Sequence, residues 1–469
     1  MLRQRLKHSF RSYKFVIVFF LLHVALAIAI GPTYIFAPDE QGYLYTLNNL
    51  YGASGDANPQ FGSGWISTSK PFLWLAYLPA KVLMMLHIPD YLALRFLSIL
   101  TVTLCLLSIQ HLQRQSGNLS RNSYSLVLWF SIPSIFIWST FGLREPFLIT
   151  ELGFILVGSA LFTSKKQYRY LLIVFIGSYG LLATKNYQWI ILCVSVMFAS
   201  IFLLLTDANK KAILKFLVSF AVLPLLAYVL TTPSYSLQFI FHVNSSAISE
   251  RSGDSIIEIS IPEEFKTGNG TGNGTGNIQS TVRIHGGTTL VSFYEYLKSN
   301  PNSLIARIMN ISNLNRLVKD NYNKRILESL EANNSKPNTE DKSYILHPST
   351  LNHPLLLLKA SAIFLLGPLP FSGEFLSTRN ILSLETPIWW ALLIWVFIRF
   401  IRANKREIFS DLTSLIALLY SGAVVISGGM LEVNLGTSFR HRSMLFIPLL
   451  FLLIKFRAIR KEQLGTRKN

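Results

Sequence analysis

Apolar runs near the roughly 17 to 25 residues that a helix needs to cross a bilayer recur along the chain. They fall at 15–36, 92–110, 123–141, 146–163, 170–184, 187–206, 212–231, 386–401, 411–431 and 442–457. Short basic segments alternate with them. Arg3, Arg5, Lys7, Arg11 and Lys14 precede the first run. Arg114 and Arg121, then Lys165, Lys166 and Arg169, then Lys210 and Lys211, then Arg402, Lys405 and Arg406, and finally the tail from Arg457 follow at every second crossing. Cations collect on the cytoplasmic side of membrane helices, so the pattern predicts an all-α polytopic protein of about ten spans with both termini in the cytoplasm. Two further stretches, 71–88 and 355–371, interrupt their apolar residues with Pro71, Pro79 and Lys81, and with Lys359, Pro368 and Pro370. Both are expected to be interfacial or re-entrant helices on the outer face. Were both to span, the count would rise to about twelve and Lys165, Lys166 and Arg169 would move outside, against the charge rule.

The pattern divides the chain into an N-terminal transmembrane module (1–231), a polar outer insert (232–354) and a C-terminal transmembrane module (355–469), with a first outer loop at 37–91. Within the insert, the Gly, Asn and Thr run at 268–277 has too little apolar content to fold and is expected to be a flexible loop. Isoleucines alternate over 255–261, and helix-like apolar spacing spans 292–330, as in a small lid. Asn269-Gly-Thr and Asn310-Ile-Ser fit the glycan acceptor pattern weakly.

Composition agrees with a bilayer protein. Of the 469 residues, 51% are hydrophobic and 14% charged, more apolar surface than one soluble core buries. The formal charge of +19 is distributed in the short inter-run segments, where it reads as a topology signal and argues against a nucleic-acid partner. Cys105 and Cys193, the two cysteines, lie inside apolar runs and fit packing roles better than a disulfide or metal framework. The first run is too long for the apolar region of a signal peptide and lacks a small-residue cleavage site. It reads as a retained first helix.

The predicted topology brings Asp39, Glu40, Asp56, Lys70, Arg95, Arg144, Glu145, Lys185, Arg440, His441 and Arg442 to the outer face. Taken singly, each is an ordinary interfacial anchor. Cations converging with two acidic pairs have a further use: Arg and Lys neutralise phosphate oxygens while a carboxylate accepts a proton. Thus the set suits a phosphate-bearing lipid.

Three segments in order after the first helix, Phe36-Ala-Pro-Asp39-Glu40-Gln-Gly-Tyr-Leu, Lys70-Pro71-Phe-Leu-Trp-Leu and Leu94-Arg95-Phe96-Leu-Ser, resemble the opening third of C-superfamily membrane glycosyltransferases. Protein O-mannosyltransferases and lipid A aminoarabinose transferases are the relatives in view. Weaker likenesses follow at Gly142-Leu-Arg144-Glu145, Thr184-Lys185, Gly367-Pro-Leu-Pro370 and Arg440-His-Arg442. The chain departs where the family has Lys-Pro-Pro (here Lys70-Pro71-Phe72), Asp (Glu145) and a Trp after Pro370 (Phe371). The resemblance implies that a sugar passes, with inversion, from a polyprenyl-phosphate donor to a lipid, glycan or protein acceptor at the outer face, in a bacterial inner membrane. Asp39 would be the general base. Glu40 would orient the acceptor, or hold a divalent metal ion beside Asp39. Arg144, Lys185, Arg440 and Arg442 would bind the donor phosphate, and Lys70, Arg95 and Glu145 would support them, with Arg95 paired to an outer-loop carboxylate. An oligosaccharide-repeat polymerase or ligase using a lipid-pyrophosphate donor is the alternative, favoured by Arg440-His-Arg442 and the outer insert but needing no Asp-Glu pair after the first helix. A lipid-linked sugar transporter fits less well, since few ionisable residues lie mid-run and no inverted repeat is evident.

Overall fold

A computed structural model describes residues 2–33, 38–48, 63–115, 123–206, 210–231, 259–260, 281–282, 354–367, 383–431 and 440–466. The chain divides into two compact units, one built from 1–236 and 358–469 and the other from 237–357. Apart from one two-residue antiparallel pairing, the described residues with regular structure are helical.

In the larger unit, helices α1 (Leu2–Ile30), α2 (Pro38–Asn48), α3 (Ser63–Met85) and α4 (Asp90–Gln115) are followed by α5 (Ser123–Phe130), α6 (Pro133–Thr140) and α7 (Glu145–Lys165). Next come α8 (Arg169–Thr184), α9 (Asn186–Leu205), α10 (Lys210–Leu217) and α11 (Leu223–Thr231). The C-terminal part holds α12 (Pro354–Leu366), α13 (Thr386–Arg402), α14 (Lys405–Ser410), α15 (Leu412–Leu431) and α16 (Phe446–Thr466). Among the described residues, six helical stretches are long and apolar enough to cross a membrane: Tyr13–Ile30, Asp90–Gln115, Glu145–Lys165, Asn186–Leu205, Lys210–Tyr228 and Leu412–Gly429. They mark a membrane protein, and each coincides with an apolar run of the sequence.

The run at 123–141 is not one helix. α5 stops at Phe130 and α6 restarts with Pro133 in its first turn, because proline has no N–H to continue the ladder and clashes with the preceding turn. The run at 212–231 is continuous but widens into a π segment, Val218–Val222. There Ser178 of α8 donates to the Phe220 carbonyl and receives a hydrogen bond from Trp189 Nε1 at 2.8 Å, joining α8, α9 and the bulge.

α7 is the axis of the unit. Residues 145–153 and 155–162 are all buried, as befits a helix that is apolar on every side. α4, α8, α15 and α16 surround it. α8 comes so close that a Cβ on Gly158 would stand 3.0 Å from the Tyr170 carbonyl oxygen and one on Gly177 2.7 Å from that of Glu151. Such small-residue contacts draw helices together where lipid offers no hydrophobic drive. α2 and α3 pack on the starts of α4 and α7 through Tyr43, Leu47, Phe72, Leu73, Ala93 and Phe147. That cluster fixes the segment carrying Asp39 and Glu40.

In the second unit, β1 (Ile259–Ser260) pairs with β2 (Thr281–Val282). The glycine-rich run at 268–277, the helical pattern at 292–330, Asn269, Asn310, Asp56 and 368–371 lie outside the described residues.

Candidate active site

The acidic pair sits in the first turn of α2, right after Pro38. Proline at the first helical position and carboxylates beside the positive end of the dipole make this a favourable helix start, which alone would account for both residues. Their partners differ, however.

Glu40 is sealed. Arg95 grips it through Nε to Oε1 at 2.8 Å and Nη2 to Oε2 at 2.7 Å, and both side chains are 0% exposed. Glu40 Oε1 also accepts the Gly142 backbone N–H at 2.7 Å. Arg95 spends its remaining donors on the carbonyls of Ala27, Gly31 and Thr33, at 3.2, 2.7 and 3.3 Å. These carbonyls belong to the end of α1, where Gly31 adopts φ +63, the left-handed conformation that closes a helix. A guanidinium at that negative dipole end is doubly placed. Gly142 must be glycine: a Cβ there would meet Leu94 Cγ at 2.7 Å and Glu40 Oε1 at 3.0 Å. Arg95 pairs with a carboxylate of the 37–91 segment, Glu40; on which side of a membrane that segment lies is part of the expected topology. With both its oxygens engaged, Glu40 presents no atom to an acceptor or a metal ion.

Asp39 faces the other way. Its Oδ2 accepts Arg440 Nη1 at 2.5 Å, and its side chain is 35% exposed. Arg440 Nε donates to Glu145 Oε1 at 2.6 Å, and Glu145 is only 1% exposed. Burial works against the charge on Arg440, but Glu145 and Asp39 overcome it and raise its pKa well above the ordinary value. Lys185 and Arg144 lie near enough to act on the charge of Glu145. Lys185, 6% exposed, is the single residue between α8 and α9, and its Nζ lies 2.9 Å from His441 Nε2 and 5.0 Å from the centre of the Tyr187 ring. The Arg144 guanidinium stands 5.5 Å over the Tyr43 ring, and its Nε is buried with no hydrogen-bond partner. Burial pushes the Tyr43 phenol up to about 12. Tyr43 was not anticipated. Its signal was its place four residues after Asp39, on the same face of a helix.

Among the described side chains of this group, two carboxylates (Asp39, Glu145) meet three cations (Arg144, Lys185, Arg440). One positive charge is in excess. Arg440 stands between the two carboxylates, and the Glu40 oxygens are taken by Arg95 and the Gly142 N–H. Among the described residues, no group of three or more His, Cys, Asp or Glu is arranged to hold a metal.

Arg442 does not join the group. It is 1% exposed and donates to the Phe364 carbonyl at 3.2 Å and to that of Gly367, at the end of α12. Its acidic neighbour is Glu385, which the sequence reading passed over. That carboxylate accepts the Ser134 N–H at 2.5 Å and Trp389 Nε1 at 2.6 Å, tying α6 to α13. Lys70 lies on α3, and the position of its side chain is outside what the structure describes. No protein family, curated protein or solved structure matches the chain.

Proposed function

We propose that this chain is a membrane glycosyltransferase that moves a sugar from a polyprenyl-phosphate donor to an acceptor hydroxyl, with Asp39 as general base. The observation that carries the reading is the Asp39–Arg440–Glu145 group with Arg144 and Lys185 beside it, assembled from the ends of helices distant in sequence. Of the two carboxylates on Arg440, Asp39 is open and Glu145 buried, so Asp39 meets the substrate and Glu145 holds Arg440.

In the reaction, the acceptor oxygen attacks the anomeric carbon from the face opposite the phosphate. Asp39 takes the hydroxyl proton as that bond forms, a contribution of about 10²- to 10⁴-fold. The bond between the anomeric carbon and the phosphate oxygen breaks, and polyprenyl phosphate leaves. Its charge rises from one negative charge in the diester to nearly two, and Arg144 and Lys185 meet that added charge where it develops. The single excess positive charge matches a monophosphate diester better than a pyrophosphate, which favours this donor over that of a repeat polymerase. The proposed site opens on the outer face of a bacterial inner membrane, with both termini in the cytoplasm and about ten crossings.

Mass spectrometry of lipid-linked sugars from cells with and without the chain tests the reading. Deletion should lead to build-up of a polyprenyl monophosphate bearing one sugar. A pyrophosphate-linked repeat building up instead would make the protein a polymerase or ligase, and an unchanged lipid profile would remove the glycosyltransferase reading.

A further inference from the structure

A second carboxyl group lies on α7, inside the apolar unit. Glu151 is six residues beyond Glu145 and 7% exposed. An ionisable side chain within a membrane helix is costly and rarely retained without a use. Glu151 Oε1 accepts the Thr184 hydroxyl at 2.6 Å, and its Oε2 is buried with no hydrogen-bond partner. Thr184 is the last residue of α8, and the next is Lys185.

The chain turns sharply at Lys185. Its N–H closes α8 on the Leu181 carbonyl at 2.8 Å, and its own carbonyl opens α9 by accepting the Gln188 and Trp189 N–H groups at 3.0 and 3.2 Å. Between the two helices it adopts φ −156 and ψ 82. Neither glycine nor proline stands at this break, which the sequence marks only as Ala183-Thr-Lys-Asn-Tyr187. A contact from outside α8 reaches the residue before it, the Thr184 hydroxyl donating to Glu151 Oε1. Gly180 makes room for one: a Cβ there would come within 2.8 Å of Glu151 Oε1.

We propose that Glu151 is a positioning residue for Lys185. Through Thr184 it fixes where α8 ends, and so where the Lys185 ammonium stands relative to His441 and Arg440. That Lys185 then serves a donor phosphate rests on the glycosyltransferase reading; that Glu151 sets its position does not.

The test separates the two. Lys185→Cys is introduced into the full chain in membranes, and its labelling by a membrane-impermeant maleimide is timed with Glu151 intact, with Glu151→Gln and with Glu151→Leu, the chain without that cysteine giving the background. The amide oxygen of Gln still accepts a hydrogen bond, so Glu151→Gln should keep the wild-type rate. Glu151→Leu should shift it by about tenfold, in the range of coupling between residues of one hydrogen-bond network. Thr184→Val removes the same bond from the other side and should reproduce the shift, which guards against a Leu variant that fails to fold. Equal rates in all four backgrounds would overturn the proposal. In lipid extracts, donor build-up in Glu151→Leu should not exceed that of Lys185→Ala, nor grow when the two are combined; additive effects would also overturn it. If labelling shifts while neither Lys185→Ala nor deletion changes lipid-linked sugars, the positioning role stands and the glycosyltransferase reading falls.

Discussion

Asp39 and Glu40 are adjacent, carry the same charge and each meet one arginine, yet their settings are opposite. The Glu40–Arg95 pair is sealed at 0% exposure on both sides and has every carboxylate oxygen engaged. The Asp39–Arg440 pair is 35% and 21% exposed, with Glu145 behind it at 1%. A buried pair cannot lose one member without stranding the other charge, whereas a half-buried pair at the edge of solvent exchanges partners with water or substrate at lower cost. The first is therefore a fastener that joins α1, α2, α4 and the 141–142 turn. The second is the group we propose as the site.

Variants can break this contrast. Arg95→Ala strands Glu40 and frees three carbonyls at the end of α1, and should cost about 3–5 kcal/mol, seen as a large fall in the thermal midpoint of the purified protein. A melt like wild type would show the pair is not a fastener. Arg144→Ala should leave that midpoint nearly unchanged and slow sugar transfer by about 10²- to 10³-fold, measured as donor build-up in lipid extracts. Gly142→Ala pushes a methyl group against Leu94 and Glu40 and should cost about 1–3 kcal/mol; an unchanged midpoint would mean that the turn yields freely. The smallest effect belongs to the open pair. Asp39→Asn should alter stability by less than about 1 kcal/mol, whatever it does to transfer.

The long apolar helices were legible because continuous apolar runs leave little choice of structure: α4, α7, α9 and α15 all stand where hydropathy placed them. The break at Pro133 is legible as well, since proline cannot continue a helix, although the run around it has the length of one crossing. The membership of the site was only partly legible. The topology expected from charge puts Asp39, Glu145, Arg144, Lys185 and Arg440 on one face, and in the structure they lie together. It could not separate Asp39 from Glu40, or Arg440 from Arg442. Neighbours on a helix point about 100° apart, and residues two apart point to nearly opposite sides. Which of each pair faces inward depends on what packs there: Arg95 and the Gly142 N–H in one case, the end of α12 in the other. Both of those partners are distant in sequence. Glu151 carried a visible signal, a carboxylate inside an apolar run, but its meaning rests on Thr184 across the α7–α8 contact.

The central claim is that Asp39 acts while Glu40 holds. The most direct measurement is a thermal melt of purified Asp39→Asn beside mass spectrometry of lipid-linked sugars from cells that carry it. The account predicts a melt close to wild type together with the lipid profile of the deletion. A well-folded Asp39→Asn protein that consumes the donor as wild type does would contradict it.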